Sequence, residues 1–320
     1  MTPSRTPRFV QQHSADTAAD RALIEAGLLQ SVAHASPKYF YDSLGSHLFE
    51  AITELPEYYP TRTEAAIFAT HGAAIADCVG AGTTLVDLGA GNCAKAARLF
   101  PLLEPVRYVA VDISVEFLHD ALKRLQREHP ALEMVGLGQD FSSRLDLEPG
   151  LIAGRGAFFY PGSSIGNFTR DEALAFLKRV RAQAQGGGLL IGVDLVKPGA
   201  ILQAAYDDAI GVTAAFNLNI LRQLNRLIGS DFAPADWRHV GLYNEAESRV
   251  EMHLEARRDL RVRWPGAERT FGAGERIHTE NSCKYTVAGF TALLEAAGFA
   301  TPRHWTDERE WFGVFWAPAG

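Results

Sequence analysis

Apolar positions fall at helical spacing from Thr17 to Ala33, with Leu23, Ile24, Leu28 and Leu29 clustered, and predict an opening helix. The polar stretch before it, residues 1–13, predicts a flexible terminus. An aromatic tract, Tyr39-Phe40-Tyr41-Asp42, precedes the run Leu48-Phe49-Glu50-Ala51-Ile52. Pro56 and Pro60 then flank the pair Tyr58-Tyr59, which predicts a fixed turn rather than a helix interior. From Thr63 the pattern becomes a helix to Val79, a buried-type strand over 84–88, the turn Gly89-Ala90-Gly91, a helix near 94–102 and a strand from Tyr108 to Asp112. Ser114 stands where a cap would open a helix to Glu128. Further strands fit 133–137, 157–160 and 188–193, with a helix over 170–185 ended by Gly186-Gly187-Gly188. This alternation predicts an α/β doubly wound sheet.

After Lys197-Pro198-Gly199 the pattern changes. Residues 201–229 read as a long helical region broken near Gly211, and 250–260 alternate like a solvent-edged strand of an antiparallel sheet. The α/β style returns with a helix over 286–297 and strands over 301–306 and 311–316. The expected division is a sheet domain of 61–199 and 286–320, beside a second α+β domain of 14–60 and 200–285. A length of 320 residues exceeds the usual size of one compact domain and suits that division.

Charge narrows the partners. A net charge of −7 opposes a surface built to neutralise phosphates, so nucleic acid is not the expected substrate. Cys78, Cys93 and Cys283 are odd in number and lack paired metal-ligand spacing, and read as reduced thiols. No apolar run reaches the length of a signal or membrane-spanning segment. The expectation is a cytoplasmic, untethered monomer acting on a small molecule.

The segment Leu85-Val86-Asp87-Leu88-Gly89-Ala90-Gly91 carries the first candidate chemistry. Glycines at the end of an apolar strand tolerate positive φ and let a ligand approach the backbone closely. Two cofactors suit such a turn: a dinucleotide at a helix N-terminus, or S-adenosylmethionine with its amino-acid end against the turn. Ala94 stands where the dinucleotide pattern has its third glycine. Asp112 closes the next strand about 20 residues on, where a carboxylate takes ribose hydroxyls, or simply caps the following helix. Asp140 and Phe141 close the strand after that, in a pattern that resembles the adenine-contacting end of class I methyltransferases. Lys95, one turn into the helix, is either solvated or offers charge to the methionyl carboxylate. With Gly89 and Gly91 these residues make S-adenosylmethionine the favoured cofactor.

Four longer segments are more specific: Ser36-Pro37-Lys38-Tyr39-Phe40-Tyr41-Asp42, Leu55-Pro56-Glu57-Tyr58-Tyr59-Pro60-Thr61-Arg62, Pro161-Gly162-Ser163-Ser164-Ile165-Gly166-Asn167-Phe168, and Ile277-His278-Thr279-Glu280-Asn281-Ser282-Cys283-Lys284. Together they resemble the L-histidine Nα-methyltransferases of ergothioneine biosynthesis, over nearly the whole chain. The resemblance implies a class I (Rossmann-like) methyltransferase domain with a second, substrate-binding domain, and trimethylation of the histidine α-amine to hercynine. It further implies that Asn167 and Tyr206 hold the substrate carboxylate, that Tyr58, Glu280 and Ser282 face the imidazole, that Gly162 lends backbone, and that Tyr41 lies beside the amine. Tyr39 adjoins Tyr41 and Tyr59 adjoins Tyr58, so the member of each pair stays open.

The chemistry of these side chains suits the role. An amide and a hydroxyl pair a carboxylate, and a carboxylate accepting an imidazole N–H discriminates against apolar side chains. Three rivals remain at this stage: the same fold acting on another amino acid or an indole-alkaloid amine, a nicotinamide oxidoreductase, and a cofactor-binding module without turnover. No metal is expected, because His278 beside Glu280 lacks two further ligands at suitable spacing, and His253 and His304 read as strand packing or solvent contacts.

Overall fold

A computed structural model describes residues 5–11, 17–142, 144–184 and 186–320. The chain forms two compact units: Met1–Ser14, Pro60–Val196 and Lys284–Gly320 make the first, and Ala15–Tyr59 with Lys197–Cys283 make the second.

The first unit is a doubly wound α/β sheet. Its strand order is Arg8–Gln11, Glu133–Gly138, Arg107–Asp112, Thr84–Leu88, Gly156–Tyr160, Gly188–Asp194, Phe312–Pro318, Arg303–Thr306. The first six run parallel, and Phe312–Pro318 is antiparallel to both its neighbours. Thr84–Leu88 and Gly156–Tyr160 are buried at every residue, as strands covered on both faces must be. The order reverses between these two strands, and the crevice outside their carboxyl ends is where such sheets take ligands.

Several local expectations need correction. Arg8–Gln11, expected to be loose, adds a parallel edge strand; residues 1–4 and 12–13 of that stretch lie outside the described residues, as does Gln185. The helix expected from Thr63 runs from Tyr59 to Val79, because Pro60 sits in its first turn, where a missing N–H breaks no intrahelical bond. The helix expected over 94–102 is two short pieces, Ala94–Ala97 and Phe100–Leu103, the second restarting around Pro101. Ser114 precedes its helix without a side-chain capping bond, and its N–H instead donates to Asp112 Oδ1 at 2.8 Å.

The second unit holds a four-stranded sheet in the order Ala33–His34, Arg276–Cys283, Arg249–Ala256, Trp237–Asn244. The stretch read as solvent-edged is an internal strand ending at Ala256, antiparallel to both neighbours. Its charges are matched within the sheet: Glu255 Oε2 accepts from Arg276 Nε at 2.8 Å, and Glu255 also pairs with Arg238. Leu260–Trp264 and Ala267–Phe271 form a separate antiparallel pair. The helical region breaks at Gly211, whose φ is 82°, and the following helix Val212–Ile228 buries Phe216, Ile220, Leu221 and Leu224. Asp208 caps it by accepting the N–H groups of Val212 and Thr213 at 3.0 and 2.7 Å.

One irregularity shapes the second unit. Between His278 and Glu280 the pairing register slips, so that His278 opposes His253 while Glu280 opposes Met252. Side chains alternate faces along a strand, and an extra residue reverses the parity beyond it. Ile277, Thr279, Glu280 and Ser282 are therefore all buried, while His278 and Asn281 are half-exposed. The Thr279 hydroxyl anchors the bulge with bonds to Asn217 Oδ1 at 2.8 Å and the Met252 carbonyl at 2.9 Å.

Candidate active site

At the end of Thr84–Leu88 the chain turns through Gly89 and Gly91 with φ of 73° and 51°, a conformation that side chains beyond glycine rarely adopt. Space over Gly91 is open, and the Phe141 ring lies beside Gly89, where a Cβ would meet it at 3.6 Å. Asp112 Oδ2 accepts the Gly91 N–H at 2.9 Å while its Oδ1 takes Ser114. Asp112 thus sits beside the glycine turn and closes the tight turn before the next helix, but the cap position itself belongs to Ser114. Burial raises the Asp112 carboxyl above its ordinary range, against the pull of the backbone N–H groups. Asp140 Oδ1 accepts the Ser142 N–H at 3.1 Å and its hydroxyl, closing the loop that carries Phe141. Phe141 stands edge-on to Tyr160 with centroids 5.7 Å apart.

Asp87 is buried within the same strand. Tyr108 Oη donates to its Oδ2 at 2.7 Å, and its Oδ1 has no hydrogen-bond partner in the described structure. Burial lifts this carboxyl to about 7, partly countered by the Tyr108 bond. An orphaned buried carboxylate oxygen next to an open glycine turn suits a ligand with a cationic or N–H group, as the amino-acid end of S-adenosylmethionine has. Burial also pushes the Cys93 thiol up to about 12, so it is no nucleophile.

Lys95 Nζ pairs at 2.8 Å with Glu64 Oε2, while 36% of the Lys95 side chain stays exposed. Glu64 is 2% exposed, and its Oε1 accepts the Gly162 N–H at 2.8 Å. The Gly162 N–H is thus held by Glu64. A Cβ at Gly192 would lie 2.0 Å from Glu64 Oε1, so glycine there makes room for this carboxylate. Asn167 ends the short helix Ser164–Asn167, which Ser163 enters with φ of 61°. Ser163 Oγ accepts the Asp194 N–H at 2.8 Å, and the Asp194 carboxylate pairs with Lys284 at 2.8 Å in full burial.

In the second unit the implied substrate residues fall into one aromatic and polar group. Tyr41 meets Phe49 and Phe216 edge-on at 5.8 and 5.7 Å, Phe49 meets Tyr58 at 6.2 Å, and Tyr58 meets Tyr206 at 6.3 Å. The neighbouring tyrosines are engaged elsewhere. Tyr39 Oη donates to Asp20 Oδ1 at 3.2 Å, and Tyr59 Oη accepts from the buried Lys197 Nζ at 2.8 Å. Tyr206 Oη and Ser282 Oγ, assigned by resemblance to opposite ends of the substrate, share a buried hydrogen bond of 2.7 Å. Glu280 is 8% exposed on the same strand face as Ser282.

A family model described as histidine-specific methyltransferase, SAM-dependent, matches residues 20–319. The chain belongs to this family. It is 40% identical over 310 residues to histidine N-alpha-methyltransferase of Mycolicibacterium smegmatis, covering 94% of this chain and 96% of that one. The protein of the same name from Mycobacterium tuberculosis is 40% identical over 315 residues, covering 95% and 97%. Ergothioneine biosynthesis protein 1 of Neurospora crassa is 32% identical over 284 residues, 85% of this chain but 32% of that protein.

As a histidine-specific methyltransferase the chain uses S-adenosylmethionine, which removes the nicotinamide reading of the glycine turn. Two buried carboxylates near that turn escaped the sequence reading. Asp87 was visible as an acid inside an apolar strand. Glu64 was visible as well, since 64, 67 and 75 share one helix face and Ile67 and Ile75 are buried. The expectation that His278 lacks further metal-type ligands also fails, because the sheet brings Glu251 and His253 beside it. Among the described residues no helix is long and apolar enough to cross a membrane.

Proposed function

We propose that this methyltransferase transfers three methyl groups in turn to the α-amine of L-histidine, giving hercynine as the first step of ergothioneine biosynthesis. The observation that carries the substrate assignment is Glu280, buried on the bulged strand beside Ser282. A buried carboxylate suits a partner that donates an N–H, which an imidazole does and an apolar side chain does not. Tyr58, Glu280 and Ser282 are taken to read the imidazole, and Asn167 and Tyr206 the carboxylate. Tyr206 and Ser282 exchange their mutual bond for bonds to substrate in this reading.

S-adenosylmethionine supplies an electrophilic methyl group on a sulfonium. Gly89, Gly91, Lys95, Asp112, Asp140 and Phe141 are assigned to hold it, with Asp87 added to the set. The protein's task is to aim the amine lone pair along the S–C axis at close range, with no covalent nucleophile of its own. The α-amine must lose its proton before it can attack, and Tyr41 or water takes that proton. The aromatic faces of Tyr41, Tyr58 and Phe216 suit the cationic methylated amine by cation–π attraction.

The chain is taken to act as a monomer in the cytoplasm, and its three free cysteines suit that reducing compartment. Glu280→Ala tests the substrate assignment: KM for histidine is expected to rise roughly ten- to a hundredfold, the cost of an unpaired buried N–H. Affinity for S-adenosylhomocysteine should stay unchanged. An unchanged histidine KM overturns the role of Glu280, and preferential methylation of an indole amine favours the alternative substrate class.

A further inference from the structure

The bulge that turns Glu280 and Ser282 to one face of the sheet turns His278 and Asn281 to the other. There they stand directly opposite His253 and Glu251, in two adjacent cross-strand pairs. His253 Nε2 is 3.0 Å from Glu251 Oε2, and His278 Nε2 is 2.9 Å from Asn281 Oδ1. The two imidazole centroids are 5.1 Å apart, and one ligand atom from each of Glu251, His253 and His278 lies within 4.8 Å of the others.

We propose that Glu251, His253 and His278, with the Asn281 amide oxygen as a fourth ligand, bind a borderline divalent transition metal, Zn2+ foremost, on the sheet face opposite Glu280 and Ser282. Two neutral imidazoles and a carboxylate are a donor set of intermediate softness, suited to zinc and poorly suited to calcium or magnesium. With Zn–N and Zn–O bonds of about 2.0–2.1 Å, tetrahedral ligand atoms stand roughly 3.3 Å apart. The His253–Glu251 separation of 3.0 Å already fits that edge. Closure of the third ligand needs a side-chain movement, with no change of strand register.

The surroundings prepare the donors. Glu251 Oε1 is held by Arg249 Nε at 2.7 Å and Asn244 Nδ2 at 3.0 Å, which leaves Oε2 directed at His253. Coordination takes neutral imidazoles and an ionised carboxylate. Coordination at Nε2 uses the Nδ1–H tautomer of each ring. Arg249 opposes additional positive charge, so the affinity should be moderate rather than that of a closed structural zinc site. Bound metal would clip the two strands together across the bulge and raise the melting temperature of the protein.

The test uses the full-length protein, free of affinity tags and treated with chelator, titrated with ZnCl2 by calorimetry and followed by thermal melting. Co2+ serves as a spectroscopic probe. The expected result is one equivalent of zinc, a raised melting temperature and visible Co2+ bands of a low-coordinate N/O site, with no competition from Mg2+. The pair His253→Gln and His278→Gln should abolish all three while S-adenosylhomocysteine binding reports an intact fold. If that variant fails to fold, Asn281→Asp decides, since an added carboxylate should tighten zinc binding. Wild-type protein that takes up no zinc, zinc uptake unchanged in the double variant, or affinity unchanged in Asn281→Asp overturns the site.

Discussion

Lys95 Nζ lies 2.8 Å from the Oε2 of Glu64, a carboxylate 2% exposed whose other oxygen holds the Gly162 N–H. One side chain from the helix Tyr59–Val79 thus ties the residue after the glycine turn to the segment that ends in Asn167. Glu64→Ala leaves a buried N–H and a lysine without that carboxylate. It should lower stability by about 1–3 kcal/mol and weaken cofactor binding, whereas Glu64→Gln should keep part of both. Thermal melts and calorimetry with S-adenosylhomocysteine measure the two effects.

Asp87 predicts an unusual slope of stability with pH. Its folded pKa of about 7 lies above its unfolded value of 3.8, so the native state binds the extra proton between those limits. Stability from this group is therefore fully present below pH 3.8 and is lost as pH rises toward and through 7. Asp87→Asn should remove that loss. The difference in melting temperature between variant and wild type should grow in the variant's favour from about pH 5 to about pH 8. His253 and His278, with lowered pKa values, act with the opposite sign in the same window, and the difference between the two proteins cancels them.

Assigning Tyr58 to substrate and Tyr59 to support makes different predictions for the two. Tyr59→Phe removes a hydroxyl partner of the buried Lys197 and should cost about 1–3 kcal/mol of stability with little change in histidine KM. Tyr58→Phe should raise histidine KM several-fold. Steady-state kinetics and melts of both variants check the assignment.

Thr279→Val removes both hydroxyl bonds that anchor the bulge. Glu280 then loses its fixed aim, so histidine KM should rise although Thr279 is not assigned to substrate. Cofactor affinity, assigned to residues of the other unit, should hold.

The sheet was legible because its signals are local. Leu85 to Gly91 places strand and turn by itself, and Gly211 marks its own helix break. What escaped depends on distant partners. Phe9 and Val10 are too few to announce a strand, and Arg8–Gln11 exists because Glu133–Gly138 offers an open edge. Glu251 and Glu255 looked like solvent charges because the arginines that meet Glu255, Arg238 and Arg276, come from neighbouring strands. Thr279 carries no mark of a bulge, yet the bulge decides which side chains of Ile277 to Cys283 share a face. Family resemblance supplied the substrate residues. The geometry singled out the buried carboxylates Glu64 and Asp87, and gave Tyr39 and Tyr59 hydrogen-bond partners in Asp20 and Lys197.

The most direct test of the central claim is a time course of the purified protein with S-adenosylmethionine and an equimolar panel of amino acids, read by mass spectrometry. The account predicts mono-, di- and trimethylated histidine in succession, with the trimethylated product dominant at completion and tryptophan and tyrosine unmodified. Failure to methylate histidine, or equal turnover of tryptophan and tyrosine, would contradict it.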